Sequence, residues 1–481
     1  MTPFHRVFHS PIRLIVAAAA LLSVAGFAAT ASRPNIILVM PDDIGYGDYS
    51  CLGNPVMKTP AVDAFWKQSV RLTDFHVSPT CAPTRSALMT GRHEFKNGVT
   101  HTILERERLT LKATTVAQVL KSAGYTTGVF GKWHLGDEAQ YQPDKRGFDE
   151  VFIHGTGGIG QTYPGSGGDA PGNMYTDPAL LHNGKFEKTK GYCTDLFFGQ
   201  AIKWMDEKRK ADAPFFTYIA LNVAHGPLQC PEETFRHYEG KVPQNVARFF
   251  GMIETLDTNF GILLKKLDEW GLAENTLVIF LGSDNGGTAG VQLFNAGMRA
   301  GKGTPYQGGT RVPAFFRWPA KFQGGRDVPA LTAHIDLFPT LAEIIGTPLA
   351  GDVAKQVEGR SLMPLLTDPK AAWPDRFLVT HVGRWPHGKA AEAKFSNCSI
   401  RDSRYTLVNN RELYDLQSDP GESKNILADK PDAAAKLRAA YDKWWDDVQP
   451  MLVNEDATGP AINPFKELYW KQFGGGPGGG R

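Results

Sequence analysis

Short apolar runs alternate with segments of helical periodicity along the first three quarters of the chain. Four runs rich in apolar and β-branched residues are typical of buried parallel strands: residues 35–40, 126–130, 214–223 and 277–281. Three segments repeat apolar residues at helical spacing: residues 115–123, 196–208 and 246–269. Strands that alternate with helices predict an α/β domain in which helices sandwich a large, mainly parallel sheet.

The pattern changes near residue 376. Three runs are typical of short antiparallel strands: residues 376–381, 395–401 and 405–409. Residues 433–448 follow as an amphipathic helical segment. We therefore predict a large α/β domain over residues 32–375 and a smaller C-terminal α+β subdomain over residues 376–473. The glycine-rich end, residues 474–481, is predicted to be a flexible tail.

Residues 1–31 have the composition of a secretory signal peptide. Two arginines precede an apolar run, residues 14–25, that is too short to span a bilayer. Ala29-Thr-Ala31 is a typical cleavage site, so we expect the mature chain to start near Ser32. The pattern predicts export to the periplasm or the medium, and no later segment predicts a membrane span.

Composition and charge indicate the kind of molecule that the protein binds. The 481 residues are 42% hydrophobic and 21% charged, which is typical of a globular protein. The 52 Lys and Arg residues nearly equal the 50 Asp and Glu residues, and this near-neutral charge argues against polyanion binding as the main function. We predict no nucleic-acid partner, and an acidic substrate would need a local cationic pocket.

The chain has an odd number of cysteines for an exported protein. They are Cys51, Cys81, Cys193, Cys230 and Cys398. Four could form two disulfides in three possible connectivities, which leaves one cysteine over. Either the remaining cysteine is a buried free thiol, or the cysteines do not pair at all, or one of them has a chemical role.

Polar side chains follow all four predicted strands. In chain order they are Asp42 and Asp43, then Lys132 and His134, then His225, then Asp284 and Asn285. Because ligands of open α/β sheets bind beyond the carboxyl ends of the strands, we expect these side chains to converge. Taken alone, each motif is more typical of a turn or a structural histidine than of a site, and only their coincidence favours a site. Three carboxylates and an amide suit Ca²⁺ or Mg²⁺ rather than zinc.

Two glycine-rich motifs are predicted to be ordinary loops. Gly155-Thr-Gly-Gly-Ile-Gly160 has the spacing of a dinucleotide-binding turn, but more turn residues follow it instead of a helix. Gly301-Lys302-Gly303 lacks the Ser or Thr that a P-loop requires, although Lys302 remains a candidate anion ligand.

The sequence around one cysteine resembles a known family. Cys81-Ala-Pro-Thr-Arg85 resembles the signature of the formylglycine-dependent sulfatases, arylsulfatase-like enzymes of the alkaline phosphatase superfamily. Other matching motifs run through nearly the whole mature chain, among them Gly131-Lys-Trp-His-Leu-Gly136, Ser283-Asp-Asn-Gly286 and Gly308-Gly-Thr-Arg-Val-Pro313. One departure is Thr84, where Ser is commoner, and it retains the hydroxyl.

The resemblance implies a sulfuric ester hydrolase that cleaves aryl or carbohydrate sulfates. In this family a formylglycine-generating enzyme oxidises the cysteine during export, so the implied cofactors are formylglycine at residue 81 and one Ca²⁺. The implied metal ligands are Asp42, Asp43, the modified Cys81, Asp284 and Asn285. The implied catalytic residues are Cys81, Arg85, Lys132, His134, His225 and Lys302.

The resemblance also assigns roles to these catalytic residues. Arg85 and Lys132 would hold the formylglycine and sulfate oxygens, and His134 would help to break down the covalent intermediate. His225 and Lys302 would face the leaving group. One hydroxyl of the hydrated aldehyde would attack sulfur and expel the alcohol, and the other would then collapse to the aldehyde and release sulfate.

Two other functions stay open from the sequence. A phosphonate monoester or phosphodiester hydrolase is the alternative on the same fold, because related metal hydrolases share the Asp-Asp…Asp-Asn pattern. A catalytically silent carbohydrate-binding or scaffolding protein is disfavoured by the intact residue set. The predicted pocket loops, residues 154–176 and 381–387, carry Arg384 and Trp385 and suit an aryl or a sugar ester equally.

Overall fold

Sixteen strands and twelve α-helices make up the described part of the computed structural model, which covers residues 1–4, 33–103, 105–161 and 168–476. The strands are β1 (Asn35–Met40), β2 (Val70–Leu72), β3 (Phe75–His76), β4 (Thr126–Lys132), β5 (Glu150–His154), β6 (Ala179–His182), β7 (Lys185–Lys188), β8 (Phe215–Ala220), β9 (Thr276–Leu281), β10 (Ala314–Arg317), β11 (Arg326–Val328), β12 (Thr332–Ala333), β13 (Leu378–His381), β14 (Cys398–Arg401), β15 (Tyr405–Val408) and β16 (Glu412–Asp415). The helices are α1 (Pro60–Gln68), α2 (Cys81–Thr90), α3 (Val116–Ser122), α4 (Cys193–Lys210), α5 (Glu232–Arg236), α6 (Gln244–Glu269), α7 (Gln307–Thr310), α8 (Leu337–Ile344), α9 (Gly351–Gln356), α10 (Met363–Thr367), α11 (Pro431–Val448) and α12 (Pro464–Phe473).

Ten of the strands form one mixed sheet in the order β11-β2-β10-β9-β1-β8-β4-β5-β6-β7. Its five central strands, from β9 to β5, are parallel to one another. Both faces of this sheet are covered. Along β1, Ile36 and Leu38 lie in one hydrophobic core, and Ile37 and Val39 lie in the other. Burial on both faces explains why the central strands are continuous apolar runs.

The predicted fold class is confirmed. The four predicted strands are β1, β4, β8 and β9, and they are neighbours in the sheet in the order β9-β1-β8-β4. The predicted helices correspond to α3, α4 and α6. The third strand is shorter than predicted, because residues 221–223 leave the ladder and turn towards the end of β1, where Asp42 N donates to the Val223 carbonyl. This turn delivers His225 to the sheet edge.

The C-terminal elements pack in two places. Strands β13 to β16 form a four-stranded antiparallel sheet that shares a hydrophobic core with α11. Helix α12 instead packs on the large sheet: Phe465 lies in one of its cores, and Phe186 N in β7 donates to Gln472 Oε1 at 2.8 Å. The boundary between a domain of residues 32–375 and a subdomain of residues 376–473 stays a prediction. Helix α12 belongs to the predicted subdomain but contacts the large sheet.

Two predictions concern the ends of the chain. The predicted signal peptide and the last residues of the predicted glycine-rich tail lie outside the described residues. In the described part of the chain, no helix has the length and apolarity needed to cross a membrane. All five cysteines are free thiols.

Candidate active site

Four parallel strands deliver the polar side chains predicted from sequence to one edge of the large sheet. Asp42 and Asp43 follow β1, Lys132 ends β4, His225 follows β8, and Asp284 follows β9. Cys81, the first residue of α2, faces the same edge. One carboxylate oxygen from each of the three aspartates and the Cys81 sulfur lie within 4.8 Å of one another.

The acidic part of the site is fully buried. Asp42, Asp284 and Asn285 are 0% exposed. Two of their oxygens, Asp42 Oδ1 and Asn285 Oδ1, have no hydrogen-bond partner among the described residues. Unpaired buried oxygens in a carboxylate cluster are unfavourable unless a cation or water satisfies them. Ca²⁺ binds oxygens at 2.3–2.6 Å, so ligand atoms around one ion lie within about 5 Å of each other, as they do here.

Three cationic side chains balance the three carboxylates. Arg85 donates from Nε and Nη2 to Asp284 Oδ2 at 2.9 and 2.7 Å, and Lys132 Nζ lies 2.5 Å from Asp42 Oδ2. Lys302 Nζ forms an ion pair with Asp43 Oδ1. The three positive formal charges cancel the three negative ones, so the site can bind a divalent cation together with an anionic substrate without a large net charge.

The charges of these groups shift their pKa values. Burial and the neighbouring Asp284 raise the pKa of Asp42 well above its ordinary range. Burial alone would also raise the pKa of Asp43, but Lys302 and His225 lower it overall. The pKa of Lys302 is raised, because the attraction of Asp43 outweighs the opposing effect of burial. A bound divalent cation would favour the ionised form of Asp42, the group that burial penalises most.

Cys81 lies where a reacting group could meet both the acids and the cations. It is 2% exposed, and its sulfur lies 3.6 Å from Lys302 Nζ and 3.9 Å from Asn285 Nδ2. The sulfur stands where the oxygens of a formylglycine would lie. At the start of a ten-residue helix, an anion at this position also benefits from the unpaired backbone N–H groups and the helix dipole.

His134 has partners that sequence reasoning missed. Its Nε2 donates to the Thr102 carbonyl at 3.2 Å and lies 3.1 Å from Glu107 Oε2. His134 has a φ of 60° and Asp43 a φ of 63°, a conformation that costs a non-glycine residue on the order of 1–3 kcal/mol and recurs at functional sites. Glu107 belongs to the run Glu105-Arg-Glu-Arg108, which in sequence is indistinguishable from a solvated charged segment.

His225 is held in one orientation next to Asp43. Its Nδ1 donates to the Gly226 carbonyl at 2.7 Å, and its Nε2 lies 4.0 Å from Asp43 Oδ2 and 3.4 Å from Gln161 Nε2. Burial lowers the pKa of His225 to about 3, although Asp43 acts in the opposite direction. The neutral ring therefore presents an Nε2 lone pair to the site in the absence of substrate.

The first glycine-rich motif covers the two histidines. A Cβ on Gly157 would lie 2.8 Å from His134 Cε1, and a Cβ on Gly158 would lie 3.2 Å from His225 Nδ1. Asp169 accepts the N–H groups at both ends of this loop, from Gly155 at 2.9 Å and from Gly160 at 3.2 Å. The motif is a loop, as predicted, and its glycines allow close approach to the site.

Of the two residues named for the second predicted pocket loop, Trp385 is buried and Arg384 is exposed. Trp385 is only 6% exposed, because it packs in the core of the C-terminal sheet and donates to Glu455 Oε2 at 2.5 Å. It therefore cannot contact substrate. Arg384 is exposed, and its Nη2 donates to Thr102 Oγ1 at 2.9 Å. A separate cavity of about 770 Å³, lined by His334, Trp444 and others, includes none of the candidate site residues.

The chain also matches models of known protein families. The Sulfatase family model matches residues 34–347, well over half of the chain. A second model, N-sulphoglucosamine sulphohydrolase, C-terminal, matches residues 301–443.

Relatives and solved structures resemble the chain over most of its length. Arylsulfatase A of Homo sapiens is 33% identical over 449 residues, which cover 85% of this chain and 86% of the relative. The crystal structure of Ps i-CgsB in complex with k-i-k-neocarrahexaose is 27% identical, with a TM-score of 0.77 and coverage of 91% and 97%. The phosphonate monoester hydrolase of Agrobacterium radiobacter, 22% identical over 87% of this chain and 96% of its own, shares the fold with a TM-score of 0.63. The chain belongs to the sulfatase family, and the protein is a sulfatase.

Proposed function

We propose that this sulfatase hydrolyses sulfate monoesters with a formylglycine made from Cys81 and one bound Ca²⁺. The observation that carries the proposal is the meeting of the Cys81 sulfur with three carboxylates within 4.8 Å, next to three buried or nearly buried cations. The hydrated aldehyde supplies a nucleophile and, afterwards, an internal route for sulfate release. Ca²⁺ supplies a Lewis acid for the sulfate oxygens.

The chain offers a complete oxygen-rich ligand set for Ca²⁺. We assign Asp42, Asp43, Asp284, Asn285 and the modified residue 81 as ligands. The unpartnered Asp42 Oδ1 and Asn285 Oδ1 support this assignment, because both oxygens are buried and have no hydrogen-bond partner among the described residues.

The cations have separable tasks in the proposed reaction. Arg85 binds Asp284 through Oδ2 alone and also donates to the Lys132 carbonyl at 2.9 Å, so it orients a ligand and the end of β4 together. Lys132 and Lys302 neutralise charge on the sulfate where the transition state redistributes it. His225 and Lys302, both near Asp43, face the leaving group, and His134 serves the release of sulfate.

Cys81 is too deeply buried to be modified in the folded protein. It is 2% exposed, and every residue of α2 is buried. We therefore propose that a formylglycine-generating enzyme reaches the segment before the chain folds. Such timing agrees with the predicted signal peptide and with export to the periplasm or the medium.

Among sulfate esters, we propose a carbohydrate sulfate as the substrate. The solved relative Ps i-CgsB was crystallised with a neocarrahexaose. Arg384 supports a polar, anionic substrate, because it is exposed and has no carboxylate partner among the described residues. Aryl sulfates are expected to serve as activated model substrates.

Mass spectrometry tests the modification. The tryptic peptide of residues 72–85 from active protein should contain the aldehyde or its hydrate at position 81. Cys81→Ala should abolish sulfatase activity, whereas Cys193→Ala, which alters another buried thiol, should retain it. Active enzyme that carries only the unmodified thiol at residue 81 would overturn the proposed nucleophile.

Metal analysis tests the second cofactor. We expect one Ca²⁺ per chain in the active enzyme and its loss in Asp284→Ala. Exhaustive chelation should abolish turnover, and added Ca²⁺ should restore it. Full turnover in metal-free protein would remove Ca²⁺ from the proposal.

The alternative is hydrolysis of phosphonate monoesters or phosphodiesters. The shared fold of the phosphonate monoester hydrolase favours testing it. A sulfate monoester and a phosphodiester carry the same single charge, so some diester activity is expected. With matched nitrophenyl esters, kcat/KM should be highest for the sulfate, and a clear preference for phosphonate or diester would establish the alternative.

A further inference from the structure

Two acceptors face one nitrogen of His134. Its Nε2 donates to the Thr102 carbonyl at 3.2 Å and lies 3.1 Å from Glu107 Oε2. The Glu107 and His134 side chains are both 2% exposed. Because neither acceptor can donate when Glu107 is ionised, the hydrogen of a neutral imidazole must lie on Nε2. Nδ1 then carries a lone pair, and it is buried with no hydrogen-bond partner among the described residues.

Glu107 is poorly satisfied for a buried carboxylate. Its Oε1 accepts one long hydrogen bond, 3.4 Å, from Thr156 Oγ1. Its Oε2 accepts no well-aligned hydrogen bond from the described residues, and His134 Nε2 is its ion-pair contact. A buried carboxylate with so few partners destabilises a fold unless a positive charge compensates it. The group able to supply that charge here is the imidazolium of His134.

We propose that Glu107 is a positioning residue for His134. Glu107 and the Thr102 carbonyl keep the imidazole in the Nε2–H tautomer, which leaves Nδ1 as the proton acceptor that the proposed release of sulfate requires of His134. When Nδ1 takes the proton of the free hydroxyl of the sulfated residue 81, that oxygen forms the C=O bond of the aldehyde, and the C–O bond to the sulfate breaks, so that sulfate leaves with the bonding electrons. Nε2 keeps its own hydrogen, and the Glu107 carboxylate balances the new positive charge. This inference rests on the proposed function, in which His134 serves the release of sulfate.

The arrangement follows the logic of a base oriented by a carboxylate. In hydrolases with such a pair, the carboxylate stabilises the imidazolium without taking the proton itself, and its loss lowers kcat by up to about 10⁴-fold. The Thr102 carbonyl can orient the ring but cannot balance a full charge. The two partners of Nε2 therefore have distinguishable roles.

Variants of Glu107 separate charge from geometry. Glu107→Gln keeps an acceptor next to Nε2 but removes the charge, and we expect kcat for sulfate esters to fall about 10- to 100-fold with KM changed less than about threefold. Glu107→Ala removes both, and we expect a loss of about 10²- to 10⁴-fold. Glu94→Gln is the matched control: Glu94 is 1% exposed and contacts His93 rather than His134, so its kcat should stay within about threefold of wild type.

Nitrogen NMR of ¹⁵N-histidine-labelled protein measures the tautomer and the protonation of His134 independently of activity. The His134 signal, assigned by its absence in His134→Asn, should report Nε2–H in wild type, Glu107→Gln and Glu107→Ala, because the Thr102 carbonyl remains. Nδ1 should gain its proton at a higher pH in wild type than in either variant, because the Glu107 carboxylate stabilises the imidazolium. An equal pKa of His134 in all three proteins, or kcat losses no larger than those of Glu94→Gln, would reduce Glu107 to a structural residue. If wild-type protein with modified residue 81 hydrolyses no sulfate ester, the proposed function fails, while the NMR titration still tests the role of Glu107.

Discussion

Asp43 lies next to two basic side chains of the site, whereas His134 has other partners. Lys302 forms an ion pair with Asp43, and His225 Nε2 lies 4.0 Å from the same carboxylate. His134 instead contacts Glu107 and the Thr102 carbonyl. His134 therefore has different surroundings from His225 and Lys302, as separate roles before and after departure of the leaving group require.

Leaving-group dependence distinguishes these roles. A nitrophenolate departs as a stable anion, whereas a sugar alkoxide needs a donor, and general acid help contributes about 10²- to 10⁴-fold when it is needed. We expect His225→Ala and Lys302→Ala to damage hydrolysis of sugar sulfates far more than hydrolysis of nitrophenyl sulfate. His134→Ala should reduce both substrates equally.

Steady-state kcat/KM values for the two ester classes check this prediction. Lys302→Ala should show the larger selective loss, because the raised pKa of Lys302 keeps it a protonated donor while His225 is neutral. Equal losses for good and poor leaving groups in both variants would reassign these residues to ground-state binding of sulfate.

Asp48, which has no role in the proposed reaction, tests how burial shifts the pKa of a carboxyl group. Its Oδ2 accepts from Gly45 N at 2.7 Å, Oδ1 has no partner among the described residues, and burial raises its pKa from 3.8 to about 7. Protonated Asp48 therefore stabilises the fold fully below about pH 4, and this contribution is lost as the pH rises to about 7. Asp48→Asn stays neutral throughout, so its free energy of unfolding relative to wild type should rise between pH 4 and 7.

Denaturant titrations at several pH values measure this difference. Asp415→Asn is the control of opposite sign, because the hydrogen bond from Arg404 lowers the pKa of Asp415. In that variant the stability of wild type relative to the variant should fall as the pH drops below 3.8. A difference between Asp48→Asn and wild type that does not change with pH would show that Asp48 is ionised at neutral pH.

The loop after β5 packs against two histidines of the site. Gly157 and Gly158 let its backbone pass against His134 and His225. Gly157→Ala would put a methyl group 2.8 Å from the His134 ring and from Gln161 Oε1, so the ring or the loop must shift. We expect kcat to fall about 10- to 100-fold, because small displacements of a catalytic group have effects of this size.

A crystal structure or the kinetics of Gly157→Ala checks the displacement. Gly199→Ala in α4 is the control, since its Cβ would meet nothing within 4 Å. That variant should keep full activity and gain about 0.5–1 kcal/mol of stability from higher helix propensity. Wild-type kcat in Gly157→Ala would show that the loop moves freely away from His134.

The elements that sequence predicted well are those buried on both faces. Strands β1, β4, β8 and β9 are apolar runs because helices cover both sides of the sheet, and the polar residues that end them meet because the strands are adjacent and parallel. The short strands near the ends of the sheet, such as β6, β7 and β11, have only three or four residues, too few to show a period.

The supporting residues of the site could not be predicted from local pattern. Glu107 lies in an alternating charged run, and nothing in that run distinguishes a buried carboxylate from a solvated one. The Gly155–Gly160 motif matched a dinucleotide fingerprint by spacing, whereas the reason for its glycines is the close approach of two histidines that are distant in sequence. The burial of Trp385 could not be predicted from its neighbours in sequence either, because it involves a contact with Glu455, 70 residues later.

A mostly buried ion pair joins the C-terminal sheet to the turn between β2 and β3. Arg401, at the end of β14, donates to Asp74 at 2.9 and 3.2 Å and also contacts His76 in β3. The Arg401 side chain is 9% exposed and that of Asp74 is 21% exposed. The cavity of about 770 Å³, which His76 and Ile400 help to line, lies beside this contact, so packing at the junction is incomplete.

Arg401→Leu should destabilise the protein by about 3–5 kcal/mol, because it leaves a mostly buried carboxylate without its partner. Burial alone would raise the pKa of Asp74, but Arg401 and His76 lower it, so the wild-type advantage is full above 3.8 and shrinks as the pH falls below that value. Arg404→Leu, just before β15, is the matched control: its ion pair with Asp415 is half exposed on the arginine side, and its loss should cost much less than the loss of the Arg401–Asp74 pair. Denaturant unfolding at pH 7 and pH 3 measures both variants, and equal losses for the two would mean that apolar packing, rather than the Arg401–Asp74 pair, attaches the C-terminal sheet.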